Sequence, residues 1–239
     1  MKRYEILLFD ADNTLFDFSL AERTAFRTAA CAESLPYSDA LYRNYSSVND
    51  GLWKRLEQGE IPIDFLKLER FRILLSLLGE EDDEKAVRLR DTYESALAEQ
   101  DFLIEGAEPL CHELAPDYRL YLITNGISHI QRRRFSKSAV APYFSGIFVS
   151  EELGAQKPSR AYFDRVFSAI GNPDKSSVLV IGDSLTSDCD GAIAYGLDIC
   201  RYNPARLSDE GRAITYTVTE LNQLAQILNA GGSNDGSCI

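Results

Sequence analysis

Asp10 and Asp12 stand two positions apart, directly after the apolar run Ile6-Leu7-Leu8-Phe9. Within a strand that spacing would send both side chains to one face, but both lie past the last apolar residue, where the chain turns out of the sheet. They belong to the carboxyl end of a strand, where open α/β sheets bind their ligands. Asp183 and Asp188 are a second acidic pair, five positions apart, after the run Val178-Leu179-Val180-Ile181. Thr124-Asn125-Gly126 closes a third run, Leu120-Tyr121-Leu122-Ile123, with hydroxyl and backbone donors. Carboxylates gathered in one crevice repel one another and any anionic substrate, so the cluster needs local positive charge. A metal ion and a few placed cations could supply it. Taken singly, each feature is ordinary: an aspartate pair suits a turn or a helix cap, and Thr-Asn-Gly suits a turn.

The elements that must position these residues follow from periodicity. Continuous apolar runs ending in polar turn residues are expected of strands buried on both faces of a parallel sheet, and Ile147-Phe148-Val149 makes a fourth. Helical periodicity follows each, which predicts βα repeats and a doubly wound, mostly parallel α/β sheet of Rossmann type. After Lys157, Pro158 suits a first helical turn. Tyr162, Phe163, Val166, Phe167 and Ile170 then form one apolar face, and Gly171 ends the helix. Between about Phe16 and Gln100 only amphipathic patterns occur, such as Phe65, Leu68, Phe71, Leu74 and Leu75. Turn signals at Pro36, Gly59 with Pro62, and Gly79 cut this stretch into about four helices. The expected organisation is an α/β core over residues 1–16 and 101–230, an inserted α-helical cap over 17–100, and a mobile tail over 231–239.

The chain has 239 residues, and its formal net charge of -12 argues against unassisted binding to nucleic acid or an anionic membrane. Five cysteines, odd in number and without CxxC pairing, indicate neither a disulfide framework nor a zinc site. The opening apolar run is too short for a signal peptide and no stretch is long enough to span a bilayer, so a protein of the reducing cytoplasm is expected.

The string Asp10-Ala11-Asp12-Asn13-Thr14 after a buried strand resembles the first motif of the haloacid dehalogenase superfamily. The rest of that signature follows in order: Thr124-Asn125-Gly126, Lys157-Pro158, and Gly182-Asp183-Ser184-Leu185-Thr186-Ser187-Asp188. The resemblance implies that Asp10 attacks phosphorus to give an aspartyl-phosphate that water then hydrolyses. It implies that Asp12 protonates the leaving oxygen and then takes a proton from the attacking water. An Asp10 oxygen, the Asp12 backbone carbonyl and Asp183 would hold Mg²⁺, with Asp188 ordering a metal-bound water. Lys157 would supply counter-charge, and Thr124, Asn125 and Gly126 would bind the transferring oxygens. Asp12 argues against dehalogenation, which needs no acid for its leaving group.

Val48-Asn49-Asp50-Gly51-Leu52-Trp53, Gly59-Glu60-Ile61, Arg70-Phe71, Ser150-Glu151-Glu152-Leu153-Gly154 and Gly171-Asn172-Pro173-Asp174 look like a bacterial pyrimidine 5'-nucleotidase subgroup. That implies a nucleoside monophosphate substrate, noncanonical pyrimidines included. The alternatives are a small sugar-phosphate or phosphoglycolate phosphatase and, outside enzymes, a phosphate-binding interaction module. His112 and His129 have no partner at metal-ligand spacing and are expected at the surface or in packing. Arg132-Arg133-Arg134 spans most of a helix circumference and is expected to be a solvated stretch. Trp53 and Phe16 are expected to pack within the cap.

Overall fold

The computed structural model describes residues 4–230, so the tail expected over 231–239 lies outside the described residues. Along the chain, β1 (Ile6–Asp10) leads into four helices: α1 (Phe18–Ala32), α2 (Asp39–Glu57), α3 (Ile63–Leu77) and α4 (Asp83–Ala98). Then come α5 (Ala107–Leu114), β2 (Arg119–Thr124), α6 (Ser128–Lys137), β3 (Phe144–Val149), α7 (Ser150–Leu153) and α8 (Arg160–Ala169). The last elements are β4 (Val178–Gly182), α9 (Asp190–Tyr195), β5 (Asp198–Tyr202), β6 (Tyr216–Val218) and α10 (Asn222–Ala230). The chain divides into two compact units, Met1–Asp17 with Phe102–Ile239, and Phe18–Asp101.

The first unit is a six-stranded sheet in the order β3-β2-β1-β4-β5-β6, and every neighbouring pair is parallel. Strand alternation sorts the core into two layers. Leu7, Phe9, Leu120, Leu122, Leu179 and Ile181 pack with Leu110 and Leu114 of α5 and Leu224 and Leu228 of α10. Ile6, Leu8, Ile123, Val178 and Val180 pack with Tyr162, Phe163 and Val166 of α8 and Tyr195 of α9. Burying each such side chain stabilises the fold by roughly 1.5–3 kcal/mol, which is why these strands read as unbroken apolar runs. The doubly wound α/β sheet is thus the one expected. Two strands, β5 and β6, were not anticipated. The helix after Lys157 starts later than Pro158: Ser159 is its N-cap, its side chain accepting from the Tyr162 amide. Gly171, at φ +93, ends it.

The second unit is a bundle of α1 to α4, whose breaks contain Pro36, Gly59 with Pro62, and Gly79. Its interior is an aromatic stack. Phe26 and Tyr45 lie 4.4 Å apart between ring centroids, and Phe71 stands 5.5 Å from Tyr45. Beside it runs a buried polar chain. Tyr42 Oη donates to Glu22 Oε2 at 2.9 Å and Asn49 Nδ2 to Glu22 Oε1 at 2.8 Å. Arg70 Nη1 donates to Asn49 Oδ1 at 3.2 Å. Asn49, Arg70 and Phe71 are therefore interior residues of the bundle, and Trp53 packs half-buried against Leu52, Leu56, Ile61 and Leu66. Phe16, expected in the cap, instead lies in the core of the sheet unit. No helix among the described residues is long and apolar enough to cross a membrane.

Candidate active site

β1 lies between β2 and β4, where the strand order reverses, so the carboxyl ends of these three strands frame the ligand crevice of a doubly wound sheet. Asp10 is the last residue of β1 and pairs in register with Ile123. Thr124 ends β2, and Asp183 follows the end of β4. The loop after Asp10 turns back sharply. Leu15 and Phe16 both donate their amides to the Ala11 carbonyl, and Asn13 adopts φ 60, a left-handed conformation that asparagine tolerates.

Buried Lys157 ties the strands together. Its Nζ donates to Asp10 Oδ1 at 2.6 Å, Asp188 Oδ1 at 2.7 Å and the Ile123 carbonyl at 3.1 Å. Asn125 fixes its backbone from both sides: Nδ2 donates to the Lys157 carbonyl and Oδ1 accepts from the Lys157 amide, each at 2.8 Å. The Asn125 side chain is thereby committed to holding Lys157. Asp188 is brought in by a π-helical turn, Leu185–Cys189, a distortion that recurs at functional sites. Gly182 makes room for it, since a Cβ there would stand 2.4 Å from the Asp188 carboxyl. The Ser184 amide donates to Asp188 Oδ2 at 3.2 Å, and Thr14 Oγ1 to Asp183 Oδ1 at 3.3 Å.

Asp10, Asp183 and Asp188 each offer an oxygen within 4.8 Å of the other two. Burial pushes the Asp10 carboxyl well above its ordinary value, against the pull of Lys157. Burial and then the neighbouring Asp188 push Asp183 up to about 7. Burial alone would lower the Lys157 ammonium, but Asp10 and Asp188 outweigh it and hold it charged. One ammonium among three close carboxylates leaves a deficit of positive charge, and every donor is a hard oxygen. The residues present therefore fit a divalent cation such as Mg²⁺. Among the described residues Asp10 Oδ2 accepts no hydrogen bond, so one oxygen of that carboxylate faces the crevice unengaged.

The structure thus gathers Asp10, Asp183, Asp188, Lys157, Thr124, Asn125 and Gly126 at adjoining strand ends. The Asp12 carboxylate is outside the three-carboxylate group and points to α6. Arg134 Nη1 donates to its Oδ1 and Gln131 Nε2 to its Oδ2, each at 2.6 Å. Arg134 was expected in a solvated stretch and is instead 1% exposed. Arg132 and Arg133, on the other side of the helix, are exposed. Sequence reasoning missed Gln131 and Arg134. The available signal was their spacing of three, which puts them on one helix face beside Ile130. His129 and His112 are both exposed.

The central strands of a doubly wound parallel sheet thus carry an acidic cluster and a buried lysine at their switch point. The family model for haloacid dehalogenase-like hydrolases matches residues 4–196, and the chain belongs to that family. It is 39% identical to the HAD-hydrolase YfnB of Bacillus subtilis (strain 168) over the full length of both chains. The crystal structure of YfnB bound to magnesium superposes with a TM-score of 0.89, covering 95% of this chain and 100% of that one. Pyrimidine 5'-nucleotidase PynA of Streptococcus pneumoniae (strain ATCC BAA-255 / R6) is 37% identical, with 95% of each chain covered. Pyrimidine 5'-nucleotidase YjjG of Escherichia coli (strain K12) is 33% identical, with 95% of this chain and 98% of the relative covered.

Proposed function

We propose that the protein is a Mg²⁺-dependent 5'-nucleotidase that hydrolyses pyrimidine nucleoside monophosphates through a phosphorylated Asp10. The observation that carries the chemistry is the Asp10 carboxylate, with one oxygen held by Lys157 and the other unengaged, beside a second aspartate two residues on. Two near-full-length relatives named as pyrimidine 5'-nucleotidases support the substrate class.

Asp10 Oδ2 forms a bond to phosphorus as the bond from phosphorus to the ester oxygen breaks, and Asp12 gives its proton to the departing nucleoside 5'-oxygen. Water then forms the new bond to phosphorus, Asp12 takes its proton, and the bond from Asp10 to phosphorus breaks to release inorganic phosphate. The Lys157 ammonium fixes the attacking carboxylate and offsets the charge that collects on the phosphoryl oxygens. The Thr124 hydroxyl and the Gly126 amide donate to those oxygens, while the Asn125 side chain acts by holding Lys157. Asp10, Asp183 and the Asp12 carbonyl would hold Mg²⁺, with Asp188 beside them. The cation would neutralise the phosphate and the carboxylates.

A substrate panel with Mg²⁺ tests the reading. Hydrolysis of dUMP and dTMP is expected to exceed that of sugar phosphates and phosphoglycolate. Rates no higher than those on sugar phosphates would move the assignment to the small-phosphate alternative. Binding of phosphate esters with no hydrolysis would leave only an interaction module.

A further inference from the structure

We propose that Gln131 and Arg134 are positioning residues that aim the Asp12 carboxylate for proton transfer. The inference rests on Asp12 being the acid and base of the reaction, and it assigns what holds that side chain in place.

An aspartate at a loop end has two side-chain torsions to lose before it can deliver a proton to one particular oxygen. Here both carboxylate oxygens are engaged by α6, Oδ1 by Arg134 and Oδ2 by Gln131, at 2.6 Å each. Two donors at the two oxygens define the plane of the carboxylate as well as its location. A carboxylate has about four lone-pair sites, so each oxygen keeps one for a proton. The side chain of Asp12 remains 22% exposed, so an edge stays open to a leaving group.

The supports are themselves rigid. Gln131 and Arg134 are 5% and 1% exposed, and they stand three residues apart on the inward face of α6. The guanidinium carbon of Arg134 lies 5.1 Å from the centre of the Phe16 ring. Phe16 belongs to the same loop as Asp12 and forms a β-bridge with it. Gly126 completes the device, since a Cβ there would stand 2.6 Å from both Cγ and Nε2 of Gln131. A side chain at 126 would push Gln131 away from Asp12. The glycine that follows Thr124-Asn125 thus has a second duty, as the passage through which Gln131 reaches across.

Displacing a catalytic group by about an ångström costs on the order of 10²-fold in rate. That loss should depend on the leaving group. A nucleoside 5'-alkoxide needs a proton as it departs, whereas nitrophenolate departs without one. The test is leaving-group release in the first turnover, with Mg²⁺ present, for Gln131→Leu, which keeps the bulk and removes the donor.

Release of nucleoside from dUMP should slow by roughly 10- to 100-fold. First-turnover release of nitrophenol from 4-nitrophenyl phosphate should stay close to the parent rate, and KM for dUMP should change little. At the second position, Arg134→Lys should retain more dUMP activity than Arg134→Met, because it can still donate to Asp12. Equal losses on the two substrates would mean general distortion and overturn the proposal, as would parent-like release from dUMP or the reverse order of the Arg134 variants. Asp12→Asn separates the layers. If it slows dUMP release while Gln131→Leu does not, only the positioning role falls. If Asp12→Asn is itself parent-like, the acid assignment falls and this inference with it.

Discussion

Replacing Lys157 by methionine keeps most of the side-chain volume and removes the ammonium that pairs with both Asp10 and Asp188. Lys157 is 1% exposed, and its ammonium makes three hydrogen bonds. Taking one partner from a buried ion pair costs about 3–5 kcal/mol, because the remaining charge is left uncompensated. The change in shape adds under about 1.5 kcal/mol. For a chain of this size each kcal/mol moves the melting temperature by about 2–4 °C, so charge loss alone predicts a fall of roughly 6–20 °C in chelator near pH 8.

The sign of the pH effect follows from the carboxyls. Asp10 and Asp183 have folded values raised above their ordinary ones. Groups raised in this way contribute stability at low pH that is lost as pH rises through the folded value. Without Lys157 they should be raised further. The deficit of Lys157→Met should therefore be largest above about pH 7 and shrink as pH falls towards about 5, where the carboxyls take up protons. Mg²⁺ should restore part of the loss near pH 8. Circular dichroism melts of parent and variant, with chelator and with Mg²⁺, measure all three effects. A melting temperature within about 2 °C of the parent in chelator near pH 8 would refute the electrostatic reasoning. A deficit equal at both pH values would assign it to packing.

Two further outcomes are expected. Mg²⁺ should raise the melting temperature of the parent more above pH 7 than below it, because Asp183, pushed up to about 7, must lose its proton to bind a cation. A stabilisation that is flat with pH would contradict that. In the helical bundle, Asn49→Leu should cost about 1–3 kcal/mol, because it leaves Glu22 and Arg70 without their shared partner. Hydrogen exchange in α2 and α3 measures it, and unchanged protection would show the polar chain to be energetically idle.

The strands that carry the site were legible because burial on both faces forces an unbroken apolar run. Ile6 to Phe9, Leu120 to Ile123 and Val178 to Ile181 could hardly be read otherwise. β5 was hidden by Arg201, a buried strand residue paired with Asp209 at 2.5 Å, which breaks the apolar pattern. β6 has only three residues, too few for a period to show. Asp10, Asp183 and Lys157 were legible because two of them close an apolar run and the third stands shortly before a strongly periodic helix. Arg134 was misread for the opposite reason. Its neighbours Arg132 and Arg133 are solvated, while its partner Asp12 lies 122 positions away, so no local pattern links the two. The role of Asn125 was only half legible. The motif marked the position, but only the fold reveals that its amide clamps the Lys157 peptide.

The central claim is that phosphorus is transferred to Asp10. Protein mixed with dUMP and Mg²⁺, quenched in acid within the first turnover and digested, should carry one phosphoryl group on the peptide containing Asp10. Asp10→Asn should carry none and should release no nucleoside. Turnover by the parent with no phosphoryl on that peptide, or hydrolysis by Asp10→Asn at the parent rate, would contradict the account.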